Sequence, residues 1–388
     1  MMYQKKYAWI NFKLVPYTLF FKDTPKVPMR ILTTWIRQQG LGIVTQPLAQ
    51  KVGGTEKDYI QTEGLMKLGL RIIRRKLMLR RTGQNSTLHM RADPNWRKGL
   101  WIYQRTPQIG DALMDLACRS FFKECNCTVD LLTDANIAVL FQNDTWFSDV
   151  TYDVQTLLHK DYDFVVIQSI HHRSLQDKIK HFKYKPWVCM QGFYDVPDFA
   201  RAQWGAQRLA DLWNKTKSLD LSLHAKQKLF FDSTAQPRDI PLTLVLGGKD
   251  PVRTYSDWVG VMAGLAKNDV SCVTLIGTGE DAGSCARDIL QLDLGIEISN
   301  LVNQLNLSQC LQVLARTKVL LVADGGAMHM GVAVQVPQIV SLFIKTIPPE
   351  LRLPVSYQAD AITSHTGTVK DISAQQIVDK SLRLFQIK

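Results

Sequence analysis

Residues 320–343 read LLVADGGAMHMGVAVQVPQIVSLF: an apolar run stops at Asp324, two glycines follow, and small apolar residues resume around His329. Val319 to Ala323 has the composition of a buried strand, Gly326 to Val334 that of a helix, and Gln338 to Phe343 that of a second strand. In an open α/β sheet, ligands bind beyond the carboxyl ends of the strands, where loops meet helix N-termini. Asp324 is therefore expected to cap the following helix. Gly325 and Gly326 leave backbone N–H groups open to a phosphate, and His329, about one turn in, can donate to the same anion. Taken singly, Asp-Gly-Gly is a turn and a lone histidine a satisfied core residue. Strand, glycine pair and histidine together favour the anion site.

Outward from this stretch the same grammar recurs. In the C-terminal half, strands are expected at Leu242 to Leu246 and Ser271 to Ile276. Helices are expected at Ser256 to Lys267, Asp281 to Leu290, Ser308 to Ala315 and Ser373 to Phe385. In the preceding part, Leu100 to Gln104, Thr128 to Thr133 and Asp163 to Gln168 read as strands, with Asp111 to Glu124 as a helix. Strands alternating with helices imply parallel sheets covered on both faces. The polar, proline-bearing STAQPRDIP, 233–241, is the expected domain break. The division is thus an extension over 1–97, one α/β domain over 98–232 and a second over 242–388, as a chain of 388 residues requires.

Charge divides the chain in a different way. Residues 1–100 hold 19 Lys/Arg against 5 Asp/Glu, a net of +14, which leaves −2 for the rest of a chain whose total is +12. Such a segment suits a polyanion: nucleic acid, a membrane surface or a phosphorylated glycolipid. Nucleic acid is disfavoured by the near-neutral body and the absence of an aromatic-basic module. Within the segment, GLMKLGLRIIRRKLMLRR, 64–81, reads as a basic amphipathic helix. Leu65, Leu68, Ile72, Ile73, Leu77 and Leu79 fall mostly opposite Lys67, Arg71, Arg74, Arg75 and Arg81. That helix either lies on an anionic membrane or packs on the protein body with a solvated basic face. No window approaches the length of a membrane span, and Tyr7 to Phe21 is interrupted by Lys13 and Pro16. Seven scattered cysteines point to reduced thiols and a cytoplasmic location.

Two further loops carry possible chemistry. In RTPQIGDALMDL, 105–116, Asp111 sits at a strand-loop-helix junction, as a helix cap or as a general base toward a bound hydroxyl. In GGKDPVRTYSDW, 247–258, Lys249 and Arg253 can neutralise a diphosphate, and Gly277-Thr-Gly-Glu-Asp281 can line the same crevice. No His/Cys cluster with metal spacing, nucleophile elbow or GxxxxGK[ST] loop is present.

The segments IGDALMDLACRSFF (109–122), YDFVVIQSIHHRS (162–174) and NLSQCLQVLARTKVLLVADGGAMHMGVAVQVPQIVSLF (306–343) resemble glycosyltransferase family 9, the ADP-heptose:lipopolysaccharide heptosyltransferases. The resemblance spans about residues 99–388 and is most specific in the last segment, where the family reads Asp-[Thr/Ser/Gly]-Gly-x-x-His. It implies a GT-B architecture: two Rossmann-like domains facing each other across a cleft, acceptor on the first, sugar nucleotide mainly on the second. It implies inverting, metal-independent transfer of heptose from ADP-heptose, with no cofactor beyond that co-substrate. Asp111 looks like the family's catalytic base, and Asp324, Gly325, Gly326 and His329 like its diphosphate loop. The family's Lys-x-Trp-Pro-x-x-x-Trp pattern has no clean counterpart, so Lys249 and Arg253 both remain candidates. Gly277, Glu280 and Asp281 resemble the nucleotide or sugar region, and Gly110, His171, His172 and Arg173 the acceptor side. The implied acceptor is a phosphorylated glycolipid at the cytoplasmic face of the bacterial inner membrane. Alternatives are a hexose donor or a non-catalytic polyanion- or lipid-binding relative. The extension before residue 98 departs from the family pattern.

Overall fold

The computed structural model describes residues 33–36, 64–105, 108–193, 200–216, 220–230, 237–268 and 270–386. Five parallel strands form the first sheet: β1 (Lys98–Tyr103), β2 (Thr128–Thr133), β3 (Asp149–Thr151), β4 (Phe164–Ile167) and β5 (Trp187–Cys189), in the order β3-β2-β1-β4-β5. Six form the second: β6 (Ile240–Leu246), β7 (Cys272–Gly277), β8 (Glu297–Asn300), β9 (Thr317–Ala323), β10 (Gln338–Phe343) and β11 (Ala361–Thr363). Their order is β11-β10-β9-β6-β7-β8. In both sheets the order reverses beside the first strand, between β1 and β4 and between β6 and β9, which creates a crevice at the carboxyl ends.

The central strands bury both faces, as β1, β2, β4 and β10 show by their nearly unbroken buried runs. The helices that matter for the site are α1 (Leu65–Arg81), α2 (Ile109–Asp115), α3 (Ala135–Phe141), α4 (His172–His181), α5 (Arg201–Leu212), α6 (Trp258–Ala266), α7 (Glu280–Leu290), α8 (Leu307–Arg316), α9 (Gly326–Ala333) and α10 (Ala374–Gln386). The single helix expected over 111–124 is instead α2 followed by a 3-10 turn at Ala117–Ser120 and a short turn at Phe121–Glu124. Buried Arg119 accompanies the break, its guanidinium donating to the Leu116 carbonyl at 2.9 Å and pairing with the Asp144 carboxylate at 2.6 Å.

The boundary placed at residues 97/98 does not match the packing. Leu68, Ile72 and Leu79 of α1 share a buried cluster with Leu100, Ile102, Val165 and Ile167, so α1 belongs to the layer covering the first sheet. The connecting segment is bound too: Trp96 stacks on Phe164 at 5.0 Å, and the His89 and Ala92 N–H groups donate to the Trp187 and Leu212 carbonyls. The first domain therefore includes residues 64–97, and the rest of the expected extension, apart from 33–36, lies outside the described residues.

Of the expected break at 233–241, residues 233–236 lie outside the described residues. Beside it, Arg238 donates to the carbonyls of Ala315, Thr317, Val334 and Gln335, tying the linker to the ends of α8 and α9. Between the domains, α2 packs on α9 and α3 on α8. Leu113 and Leu116 lie in one apolar cluster with Met328 and Val332, so this interface is a continuous core.

Candidate functional site

In the second domain the reversal point brings the loops after β6, β7 and β9 together. Gly247 (φ 76°) takes a left-handed conformation, and a side chain there would stand 2.9 Å from the Ala282 Cβ. The loop after β6 can therefore lie against the start of α7 only with glycine at 247. From the same loop, the Arg253 guanidinium reaches the Asp324 carboxylate at 3.2 Å and the Asp250 carboxylate at 3.0 Å.

This contact revises the expected role of Asp324. The N-cap of α9 is Gly325, with no side-chain capping bond. The Asp324 backbone N–H continues the sheet to the Leu342 carbonyl, and its buried carboxylate holds Arg253. A carboxylate repels a diphosphate, so Asp324 serves as the anchor of the cation that would meet one. Of the two cations left open by the sequence, Arg253 is brought to the Asp324 loop, whereas Lys249 is exposed. Asn303 clamps the loop after β7, accepting from the Gly279 N–H at 2.7 Å and donating to its carbonyl at 3.2 Å. Glu280 and Asp281 stand exposed in the first turn of α7.

Across the cleft, α2 starts beside α9. A Cβ on Gly110 would lie 2.7 Å from Cδ2 of the His329 ring, and one on Gly326 would lie 3.5 Å from the Ile109 Cβ. Glycine at 110 thus lets the two helix N-termini meet, whereas the approach at Gly326 is an ordinary van der Waals contact. Gly110, expected on the acceptor side, is an interdomain contact. Asp111, in the first turn of α2, has a side chain about one third exposed, 35 %, and lies 3.7 Å from Nη2 of Arg201.

A second carboxylate completes the group. Asp115, one helical turn on and buried, accepts from the Tyr103 hydroxyl at 3.0 Å and from Nη1 of Arg201 at 3.0 Å. Burial pushes its pKa up to about 6, with Arg201 opposing and Asp111 adding to the rise. Burial likewise raises the Tyr103 hydroxyl. One arginine thereby spans two carboxylates on the same face of α2.

His329 departs from its expected role. It is buried, and its Nδ1 lies 2.9 Å from the Gln227 Oε1. The Gln227 amide nitrogen donates to the Arg352 carbonyl at 3.2 Å. A carbonyl only accepts, so the amide orientation is set and Oε1 faces the ring. Nδ1 therefore carries the proton and Nε2 a lone pair. Burial first, then Arg352, Arg201 and Arg253, push the imidazole down to about 3. A neutral ring in this tautomer does not donate from Nε2 to an anion, and the expected donation gives way to a packing role against Gly110.

His171, His172 and Arg173 are exposed at the start of α4, the helix that follows β4. His171 Nε2 accepts from Arg75 of α1 at 2.9 Å, and the Arg173 carbonyl accepts from Arg105 at 3.1 Å. A cavity of about 650 Å³ lies at the other ends of α2 and α9, lined by Met114, Gln227, Val332 and Arg352, and contains none of the expected site residues except through Gln227's bond to His329. No helix among the described residues is long and apolar enough to cross a membrane, and no cluster of three metal-capable side chains occurs among them. All seven cysteines are free.

Sequence reasoning passed over Tyr103, Asp115, Arg201 and Gln227. Asp115 was signalled by its four-residue spacing from Asp111, which places both on one helix face. Arg201 and Gln227 come from distant segments with no motif around them.

With this geometry in place, comparisons locate the chain among known proteins. The sequence model of glycosyltransferase family 9 (heptosyltransferase) matches residues 206–382. Among solved structures, the chain is similar to a family 9 glycosyl transferase from Veillonella parvula, with TM-score 0.58, 13% identity, and 76% of this chain and 98% of that one covered. It is similar to the E. coli ADP-heptose LPS heptosyltransferase II, with TM-score 0.53, 14% identity and coverage of 74% and 98%. The E. coli heptosyltransferase WaaC, solved with ADP-2-deoxy-2-fluoro heptose, follows with TM-score 0.51, 13% identity and coverage of 74% and 99%. The two-sheet architecture is that of these GT-B-like glycosyltransferases. No curated protein matches by sequence.

Proposed function

We infer, from the match of residues 206–382 to the glycosyltransferase family 9 model, an inverting heptosyltransferase that moves a heptose from ADP-heptose to a phosphorylated glycolipid of the lipopolysaccharide core. The observation that carries this reading is the meeting of the α2 and α9 N-termini. It brings Ile109 and Gly110, the residues before Asp111, against Gly326 and His329, at the reversal points of both sheets.

In this reading Asp111 takes the proton of the acceptor hydroxyl as that oxygen attacks the anomeric carbon. Arg201, shared with Asp115, is a positioning residue that aims the Asp111 carboxylate. Charge developing on the leaving diphosphate is met by Arg253, held by Asp324, and by the backbone N–H groups at the start of α9. These donors stand in place before the reaction, where preorganisation makes them most effective. The loop after β7, with Gly277, Glu280 and Asp281, borders the same crevice on the side left for the nucleoside or sugar. His171, His172 and Arg173 border the acceptor side. The chemistry assigned here calls on no metal and no cofactor beyond the sugar nucleotide. Free thiols agree with a cytoplasmic setting.

The test is a transfer and donor-hydrolysis screen across ADP-, UDP- and GDP-sugars with the full chain. Turnover confined to ADP-heptose supports the reading. Turnover with a hexose nucleotide moves the donor assignment within the family, and donor binding without turnover identifies a non-catalytic relative.

A further inference from the structure

Helix α1 has two apolar faces. Leu68, Ile72 and Leu79 are fully buried against the first sheet. On the opposite side Met66 (56 %), Leu70 (42 %), Ile73 (46 %) and Leu77 (47 %) are exposed, large and aliphatic. Their spacing of four, three and four residues lines them up in one stripe along the helix. Exposed Arg74, Arg80 and Arg81 flank it, and α1 carries no acidic residue.

This arrangement revises the expectation of one apolar side opposite one basic side. Leu68, Ile72 and Leu79 go into the protein, while Ile73 and Leu77, assigned to the same side, point outward with Met66 and Leu70. The basic residues border the outward stripe.

We propose that the outward face of α1 docks on an anionic lipid bilayer, with Met66, Leu70, Ile73 and Leu77 entering the interface and Arg74, Arg80 and Arg81 meeting lipid phosphates. Charge complementarity selects this occupant, since an acid-free helix bearing exposed arginines is drawn to a negative surface. The aliphatic stripe then separates a bilayer from nucleic acid, which offers four aliphatic side chains nothing to enter. The inner face fixes the helix on the sheet, so docking sets the orientation of the whole first domain. Arg75 passes from the inner face to Phe193 and His171, which connects the docked helix to the loop before α4.

The inference rests on α1 alone and not on the sugar-transfer reading. Its test is co-sedimentation of the full chain with phosphatidylcholine vesicles, with and without roughly a quarter phosphatidylglycerol, at low and high salt. Wild-type protein binds the anionic vesicles and loses binding as salt rises. The triple variant Leu70→Ser, Ile73→Ser, Leu77→Ser weakens binding at least about tenfold. So does Arg74→Gln, Arg80→Gln, Arg81→Gln, which keeps the stripe and provides a second reading if the serine variant misfolds. Both variants retain donor hydrolysis, which keeps this result separate from the catalytic test. Binding equal to wild type in both variants overturns the proposal. So does a wild-type protein that ignores vesicles but self-associates through the stripe, becoming monomeric in the serine variant.

Discussion

His329 lies against the Cα of Gly110, so close that a Cβ there would sit 2.7 Å from the ring. The ring is fixed from behind by Gln227, which is itself fixed by the Arg352 carbonyl. Gly110→Ala should therefore push α2 and α9 apart. Overpacking of this kind costs about 1–3 kcal/mol. The expected result is a lower thermal midpoint together with loss of transfer, since Asp111 moves away from the Asp324 loop. His329→Ala should relieve the clash, giving the double variant a coupling energy of about 1 kcal/mol or more in a double-mutant cycle. Strict additivity would mean that the contact does not set the cleft.

Arg253 and Asp324 should be separable in kinetics. Arg253→Ala takes this partner from the buried Asp324 carboxylate, and with the arginine about one third exposed the loss should be about 1–2 kcal/mol, below that of a fully buried pair. Arg253→Lys keeps charge but not the fork that spans Asp250 and Asp324. The expected outcome is a fall in kcat/KM of about tenfold to a hundredfold for Arg253→Lys with the fold retained. Lys249→Ala should change little, which a parallel assay would show.

Two buried titrating groups give opposite pH slopes. Asp115 is raised to about 6, so the stability it contributes is complete below its unfolded value and is lost as pH rises through 6. His329 is lowered to about 3, so its contribution is complete above its unfolded value and is lost as pH falls toward 3. Asp115→Asn should flatten the loss between about pH 4 and 6 and raise the thermal midpoint at neutral pH. His329→Gln should flatten the opposite slope below about pH 6.5. Urea melts across this range read both, and unchanged slopes would contradict the buried, coupled placement.

The linker arginine offers a check on how the linker is held to the second domain. Arg238→Ala removes donors from the Ala315, Thr317, Val334 and Gln335 carbonyls at once. Charged hydrogen bonds contribute about 1.5–3 kcal/mol each when partners remain dry, and this site is partly open. A stability loss of roughly 2 kcal/mol by denaturant melt is expected, without change in the donor preference.

The central strands were legible because parallel strands buried on both faces must be almost wholly apolar, and β2 and β10 coincide with their expected bounds. Short strands such as β3, β5, β8 and β11 carry too few residues for a period to show. The loops at the reversal points were legible from glycines and charge, but not the work of each residue. Asp324 reads as a cap until Arg253 is seen to reach it from a loop 71 residues away. His329 reads as a donor to a ligand until Gln227 Oε1 is seen to accept the Nδ1–H hydrogen bond. Helix α1 misled by composition: seven cations among its residues obscure that it has an inner and an outer apolar stripe.

The most direct test of the central claim is Asp111→Asn, measured for both donor binding and heptose transfer from ADP-heptose. The side chain is partly exposed and its neighbour Arg201 keeps Asp115, so the fold should stand. The account predicts unchanged nucleotide affinity with transfer reduced by about a hundredfold to ten-thousandfold. Transfer at the wild-type rate, with binding intact, would contradict Asp111 as the base.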